Sequence, residues 1–298
     1  MLSVLIPVYN FDVTGYVKHI HQLCVNENIP FEILVVDDGS ENEFKLKNRV
    51  LRRLPGVFYA ELPQNMGWSK IRNRMAQMAQ YDYLLFTDCD SKINDDLFIH
   101  RYVEQLSPSA VLFGGRNYDA HPPQNPEYYL HWYYGIKREA IPARKRQKKP
   151  WQYFMSNNFV IPKKIYQSIG FDEKIISGYG NEDTLFRIQL KNKHIPIVHL
   201  DNPLCHVGLE PFDVFISKTE SAVKNLYSLY NASMLDNSLK LINVFKFLKK
   251  LSATYFMGQF FINNRQKLIR KLKDINPSLF WLDMYKIGYI SALHHGWV

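Results

Sequence analysis

An α/β fold, a mainly parallel sheet flanked by helices with a helical C-terminal extension, is what the 298-residue sequence predicts. Three observations carry that reading. Strand-like and helix-like runs alternate up to about residue 200. Several of the strand-like runs lack polar alternation, as expected of strands covered on both faces. From Pro211 onward only helical patterns remain.

The elements follow in order. Strands are expected at Ser3–Val8, Glu32–Val36, Val57–Glu61, Tyr83–Thr87, Val111–Gly115, Asn158–Ile161 and Ile197–His199. Between them, Thr14–Cys24 sets Val17, Ile20 and Cys24 on one helical face. Glu43–Leu54 does the same with Leu46, Val50 and Leu54, and Trp68–Gln80 with Trp68, Ile71, Met75 and Met78. Strand and helix in succession imply right-handed crossovers, and ligands should gather beyond the carboxyl ends of the strands. Residues 116–156 break the rhythm with "HPPQNPEYYLHWYYG", a basic run and Trp151, and read as a mobile loop near a site. Its aromatic residues, Tyr128, Tyr129, Trp132, Tyr133, Tyr134 and Trp151, would either stack on the flat faces of a ligand or pack against the domain. Leu239–Leu251 sets Leu241, Val244, Phe245, Leu248 and Leu251 at helical spacing, with lysines opposite. The expected division is a domain over 1–210 and a helical extension over 211–298.

Composition excludes several classes. The longest apolar runs, such as Leu2–Ile6, fall far short of the roughly 20 residues of a membrane-spanning helix. Met1 leads straight into a strand-like run without a basic n-region, and Cys24, Cys89 and Cys205 are too scattered for a disulfide framework. A cytoplasmic location is therefore expected. The net charge of +9 is uneven: residues 236–273 carry +8 and residues 137–149 carry +6, and removing both leaves −5. A mildly acidic body with two basic patches is not a nucleic-acid reader, and no reader motif is present.

Four polar clusters end the strands. "VVDDGS" places Asp37, Asp38, Gly39 and Ser40 after the second strand, where a helix N-cap and turn is the ordinary alternative. "DCD" follows the fourth. Extended geometry would turn Asp88 and Asp90 to one side, where two hard oxygen ligands suit Mg²⁺ or Mn²⁺, and Cys89 to the other, toward the core. "SGYGNEDTLFRIQL" brings Glu182 and Asp183 to a helix start, a place the macrodipole favours for acids whatever their function. One of these carboxylates could accept a proton from an acceptor hydroxyl. "VHLDNPLCHVG" supplies His199 and His206, and a lone histidine is ordinarily a surface or capped residue.

Together these clusters resemble the inverting, non-processive GT-A glycosyltransferases of family 2, over about residues 1–210. The resemblance implies a Rossmann-like GT-A sheet and a nucleotide-sugar donor. "SVLIPVYN" is similar to the opening strand, with Pro7 and Tyr9 bordering the base. "VVDDGS" is similar to the uracil- and ribose-binding turn, with Asp37 and Asp38 in contact. "NMGWSKIRNRM" resembles a segment whose Gly67, Lys70 and Arg72 lie near the diphosphate or sugar, although Ile71 stands where a small residue is common. "DCD" matches the metal-binding D-x-D, with Asp88 also near the donor, and His206 matches a histidine that completes the metal shell. "GYGNED" resembles a G-[WY]-G-x-E-D turn, with Asn181 in place of a frequent glycine. There Asp183 is the base and Glu182 orients the acceptor.

The implied reaction moves one sugar from a UDP-sugar to a glycan or lipid-linked saccharide, as in polysaccharide biosynthesis, with Mn²⁺ or Mg²⁺ neutralising the departing diphosphate. A nucleotidyltransferase is the alternative enzyme, but it would show a glycine-rich loop after the first strand, where only Gly15 occurs. A catalytically silent nucleotide-sugar-binding protein is the non-enzymatic alternative. The basic C-terminal segment is either a packed amphipathic appendage or a peripheral contact with the inner face of the cell membrane, its lysines flanking Phe245, Leu248 and Phe256.

Overall fold

The computed structural model describes residues 1–173, 180–274 and 277–298. In chain order these form β1 (Leu2–Val8), α1 (Thr14–Asn26), β2 (Phe31–Asp37), α2 (Asn42–Asn48), β3 (Val57–Glu61), α3 (Trp68–Met78), β4 (Tyr83–Thr87), β5 (Ser91–Lys92), α4 (Phe98–Val103), β6 (Val111–Phe113) and β7 (Arg116–Asn117). There follow α5 (Tyr129–Tyr134), α6 (Ala143–Arg146), β8 (Asn158–Pro162), α7 (Lys163–Ile169), α8 (Glu182–Asn192), β9 (Ile197–His199), β10 (Leu204–His206), α9 (Phe212–Asn231), α10 (Lys240–Lys250), α11 (Thr254–Leu272) and α12 (Leu279–His294).

Two compact units result. Met1–Asp119, Glu139–Glu173 and Glu182–Gly208 make the first; Ala120–Arg138, residues 180–181 and Leu209–Val298 belong to the second. The break expected at residue 210 falls after Gly208, and the stretch around α5 goes with the C-terminal helices.

The first unit is built on a seven-stranded sheet of order β3-β2-β1-β4-β8-β6-β9, beside a small sheet of order β5-β10-β7. β1 pairs in parallel with β2 on one side and β4 on the other, so the strand order reverses at β1. That reversal opens a crevice at the carboxyl ends of β1, β2 and β4. β8 runs antiparallel to β4 and β6. Every residue of β1 is buried. Val4, Ile6 and Val8 join the core under α1 and α4. Leu5 faces the other core, with Ile71 and Met75 of α3, Tyr166 of α7 and Phe186 of α8. In that second core Phe86 stacks on Phe159 at 4.9 Å and on Tyr166 at 5.0 Å between centroids. A fully buried phenylalanine contributes about 1.5–3 kcal/mol from area alone, which makes this face the stiff backing of β4.

Three sequence expectations change. The helix expected over Glu43–Leu54 ends at Asn48 and tightens into a 3-10 turn over Arg49–Arg53. Leu46 and Val50 point outward, and Asn48 takes the inward position. Its side chain accepts from Val13 N–H at 3.0 Å and donates to Phe11 O at 2.8 Å, so a satisfied polar group joins Leu51 and Leu54 on the inward side. Residues 116–156, read as a loop, hold β7, α5, a π turn over Gly135–Glu139 and α6. Three of their aromatic side chains pack: Trp132 is buried, Tyr134 joins a core cluster of the second unit and Trp151 one of the first. On α10, Ile242 and Phe245 face inward, whereas Val244 and Leu251 are exposed.

The second unit gathers α9, α10, α11 and α12 with α5. Leu130 of α5 packs with Phe212, Phe215 and Ile216 of α9 and Phe261 of α11. A β-carbon on Gly288 of α12 would stand 2.6 Å from Phe261 Cβ, so α11 and α12 cross almost backbone to backbone.

Candidate active site

The ends of β1 and β2 are sewn together by short polar links. Asp38 N–H donates to Val8 O at 2.8 Å, Asn10 N–H to Ser40 Oγ at 2.8 Å, and Glu41 N–H to Asn10 Oδ1 at 2.8 Å. Asp37 is fully buried: Oδ1 accepts from Ser40 N–H at 2.8 Å, and Oδ2 from the Tyr59 hydroxyl at 3.4 Å. Asp38 is also buried and accepts from Met66 N–H at 2.8 Å and Gly67 N–H at 3.2 Å. Burial pushes its carboxyl above the usual range, against these two backbone donors. Both carboxylates are therefore occupied in shaping the turn and fixing Gly67 at the start of α3. Gly39, at φ +78°, has the backbone of Gln64 and Asn65 where a β-carbon would sit, at 2.5 Å. No other residue fits there. Of the residues matched to the nucleotide, Pro7 is buried within β1, Tyr9 stands exposed beyond it, and Lys70 is exposed on the first turn of α3.

α3 connects this region to the end of β4. Arg72, buried on the helix, lies 3.5 Å from the Trp68 ring centroid and donates to Asp88 Oδ1. Arg116, at the start of β7, donates to Asp88 Oδ2 at 3.1 Å and to Glu139 Oε2 at 3.3 Å. Burial pushes the Asp88 carboxyl up, Arg72 and Arg116 pull it down, and the charges of Asp90 and Asp183 push it further. Asp183 is therefore electrically part of this cluster. The Tyr118 hydroxyl, its pKa raised well up by burial, stays protonated and donates to Glu139.

Asp90 has a different environment. β4 stops at Thr87, so the chain turns through Asp88–Asp90 instead of continuing the alternation expected of a strand. Asp90 Oδ1 is buried, accepts no hydrogen bond among the described residues, and lies 3.4 Å from His206 Nδ1 on β10. Burial works to raise this carboxyl, but His206 and then Arg116 hold it down at about 2. Gly208 touches it: a β-carbon there would meet Asp90 Oδ2 at 2.5 Å. Cys89 is partly buried against the core under α1, beside the backbone of Tyr9, and burial raises its thiol pKa.

Asp183 opens α8 next to Glu182. Its carboxylate accepts from the Ser156 hydroxyl, and from Ser156 N–H at 3.4 Å. Ser156 precedes β8, whose buried Asn158 side chain donates to Gly115 O at 2.9 Å and Asn202 O at 2.8 Å. Gly178 and Tyr179 of the "GYGNED" segment lie outside the described residues. His199, the other histidine of its cluster, is buried elsewhere: Nδ1 meets Arg146 at 2.8 Å and Nε2 meets Pro150 O at 3.0 Å. Burial lowers its pKa to about 4, so it stays neutral and structural.

Sequence reasoning missed Arg116, Tyr118, Glu139, Ser156 and Gly208. Arg116 had a signal, since "GGR" directly follows a strand end. Glu139 lay concealed in a basic run.

The described residues include no cluster of three or more His, Cys, Asp or Glu side chains fit to hold a metal ion. Asp90 and His206 nonetheless suit one ion. A buried carboxylate oxygen without a donor is what a cation satisfies, and Mg²⁺-type sites commonly combine one or two carboxylates with substrate phosphates. Asp88, the other carboxylate of the D-x-D, has both oxygens on arginines, Arg72 and Arg116.

Comparison with known proteins places the fold and the family. A mannosyltransferase from Pyrobaculum calidifontis, solved with GDP-Man and Mn2+, superposes with a TM-score of 0.57 at 14% identity, covering 99% of this chain and 87% of that one. The likeness establishes the fold. Chondroitin synthase of Pasteurella multocida is 25% identical over 224 residues, which is 63% of this chain and 23% of that protein. Hyaluronan synthase of Pasteurella multocida is 24% identical over 201 residues, 54% of this chain and 20% of that protein. The chain thus spans under a quarter of the length of these synthases. The profile described as Glycosyl transferase family 2 matches residues 3–170, more than half of the chain. With the GT-A sheet and the acidic crevice at its switch point, the chain belongs to glycosyl transferase family 2 and is a sugar-transferring enzyme.

Proposed function

We propose that the chain moves one sugar from a UDP-sugar to a saccharide hydroxyl, with inversion at the anomeric carbon and Asp183 as the base. The observation that carries this reading is the Asp183 carboxylate, held by the Ser156 hydroxyl and backbone and lying within electrostatic reach of the Asp88 cluster. A base must sit near the place where the leaving group departs, yet be oriented by groups of its own. The saccharide acceptor is supported by the relatives named as chondroitin and hyaluronan synthases.

In this reading the open edge of the β1 and β2 turns, with Tyr9 exposed, receives the nucleotide, while Asp37 and Asp38 hold its wall from within. Lys70 on the first turn of α3 meets the diphosphate. Asp90 and His206 would hold a divalent cation. When bound, Mn²⁺ or Mg²⁺ supplies positive charge against the diphosphate oxygens. Asp183 takes the proton of the acceptor hydroxyl. Its oxygen forms the new bond to the anomeric carbon while the bond to the phosphate oxygen breaks, and the nucleoside diphosphate leaves with the electron pair. Glu182 orients the acceptor. Arg72 and Arg116 neutralise Asp88, so the crevice presents fewer like charges to an incoming diphosphate.

Asp183→Asn should lower turnover about 10²- to 10⁴-fold, the usual worth of a positioned base, while nucleotide binding persists. Turnover undiminished in that variant would overturn the assignment.

A further inference from the structure

The second unit carries an exposed apolar surface outside the residues assigned to sugar transfer. α10 buries Ile242 and Phe245 in a cluster with Ile287 and Ile290 of α12. Its other apolar stripe, Val244, Phe247 and Leu251 at helical spacing, faces outward, with Phe247 61% and Leu251 59% exposed. The helix then closes in a tight reversal. Ser252, at φ +54°, donates to Lys249 O at 3.1 Å, and Ala253 N–H donates to Leu248 O at 2.9 Å. The chain passes at once into α11, whose first turn exposes Phe256 to 74% and whose next exposes Phe260. This is not the face read from the sequence: Phe245 is wholly buried, and Leu248 packs against the same inner cluster.

Isolated exposed apolar side chains are ordinary, but a stripe that turns a corner into a second helix is a contact surface. Its electrical setting selects the occupant. From Ser238 to Lys273 the chain holds nine Lys or Arg residues and no Asp or Glu, and Lys249 and Lys250 are exposed beside Leu251. An apolar corner with a cationic collar complements a sheet of anionic headgroups over hydrocarbon. No helix among the described residues is long and apolar enough to cross a membrane, so the contact lies in the plane of the interface.

We propose that the α10–α11 corner docks on an anionic lipid surface, with Phe247, Leu251 and Phe256 entering the interface and Lys249 and Lys250 meeting the headgroups. The inference stands apart from the sugar-transfer reading, since it uses residues of the second unit alone and none of those assigned to sugar transfer.

Co-sedimentation with vesicles tests it, using phosphatidylcholine alone and phosphatidylcholine mixed with phosphatidylglycerol. The chain should pellet with the mixed vesicles only, and less so as salt rises. Lys249→Gln with Lys250→Gln should lower the partition coefficient about 25-fold, roughly fivefold for each lysine removed. Leu251→Ser with Phe256→Ser should abolish pelleting without moving the Tm, because both side chains are solvent-exposed. Recovery in the supernatant with mixed vesicles, or pelleting untouched by Leu251→Ser with Phe256→Ser, would overturn the proposal. So would a dimer in sedimentation velocity that this pair of substitutions disperses, which would assign the face to a second copy.

Discussion

The ends of β2 and β4 each carry two carboxylates at a crevice of the same sheet, yet their partners differ in kind. Asp37 and Asp38 accept from backbone amides, a hydroxyl and nothing charged. Asp88 is clasped by two guanidinium groups, and Asp90 faces an imidazole with one oxygen left without a donor. The first pair spends its capacity on holding a loop in place. The second stores charge where a ligand can use it. Carboxylates alike in sequence are thus separated by the donors the fold brings to them, and only the β4 pair has an oxygen to offer.

That contrast can be strained from either side. The larger effect is expected at Gly208, where a methyl group must displace the Asp90 carboxylate. Gly208→Ala should cost about 100-fold in turnover, on the scale of a catalytic group misplaced by about an ångström, with little change in Tm. A variant with normal turnover would show that the position of Asp90 does not matter. The smaller effect is expected at Asp37. Asp37→Asn exchanges a charged acceptor for an amide that cannot accept at both sites, and should lower stability by about 1–3 kcal/mol in denaturant unfolding. Asp90→Asn removes a charge that His206 and Arg116 stabilise and so costs stability too, but it should also lose the Mn²⁺ enhancement of UDP binding that Asp37→Asn keeps, and an equal loss of that enhancement in the two variants would erase the distinction.

Much of the first unit was legible because its strands are apolar on both faces, and a run such as Tyr83–Phe86 has no other economical place than a covered sheet. The direction of β8 was not legible, since periodicity carries no sign and only its pairing with β4 and β6 sets it antiparallel. Arg146 shows a second limit. It lies in a basic run that counts as surface charge, yet its guanidinium is buried and donates to the carbonyls of Ile141, Phe113, Gly114 and Leu200. Burial lowers its pKa to about 10. Charge counts cannot separate such a residue from Lys148 or Lys149, because only tertiary contacts supply the carbonyl cage. At the site, Asp90, His206 and Asp183 were readable from their places after strands and at a helix start. Ser156 was not, because a serine before a strand has no pattern of its own until Asp183 arrives from 27 residues away.

The most direct test of the distinction between the two acidic pairs is calorimetric titration of UDP with and without Mn²⁺, on the unaltered chain, Asp90→Asn and Asp37→Asn. The account predicts that Mn²⁺ strengthens UDP binding in the unaltered chain and in Asp37→Asn, and that Asp90→Asn loses this enhancement. An enhancement retained in Asp90→Asn would contradict it.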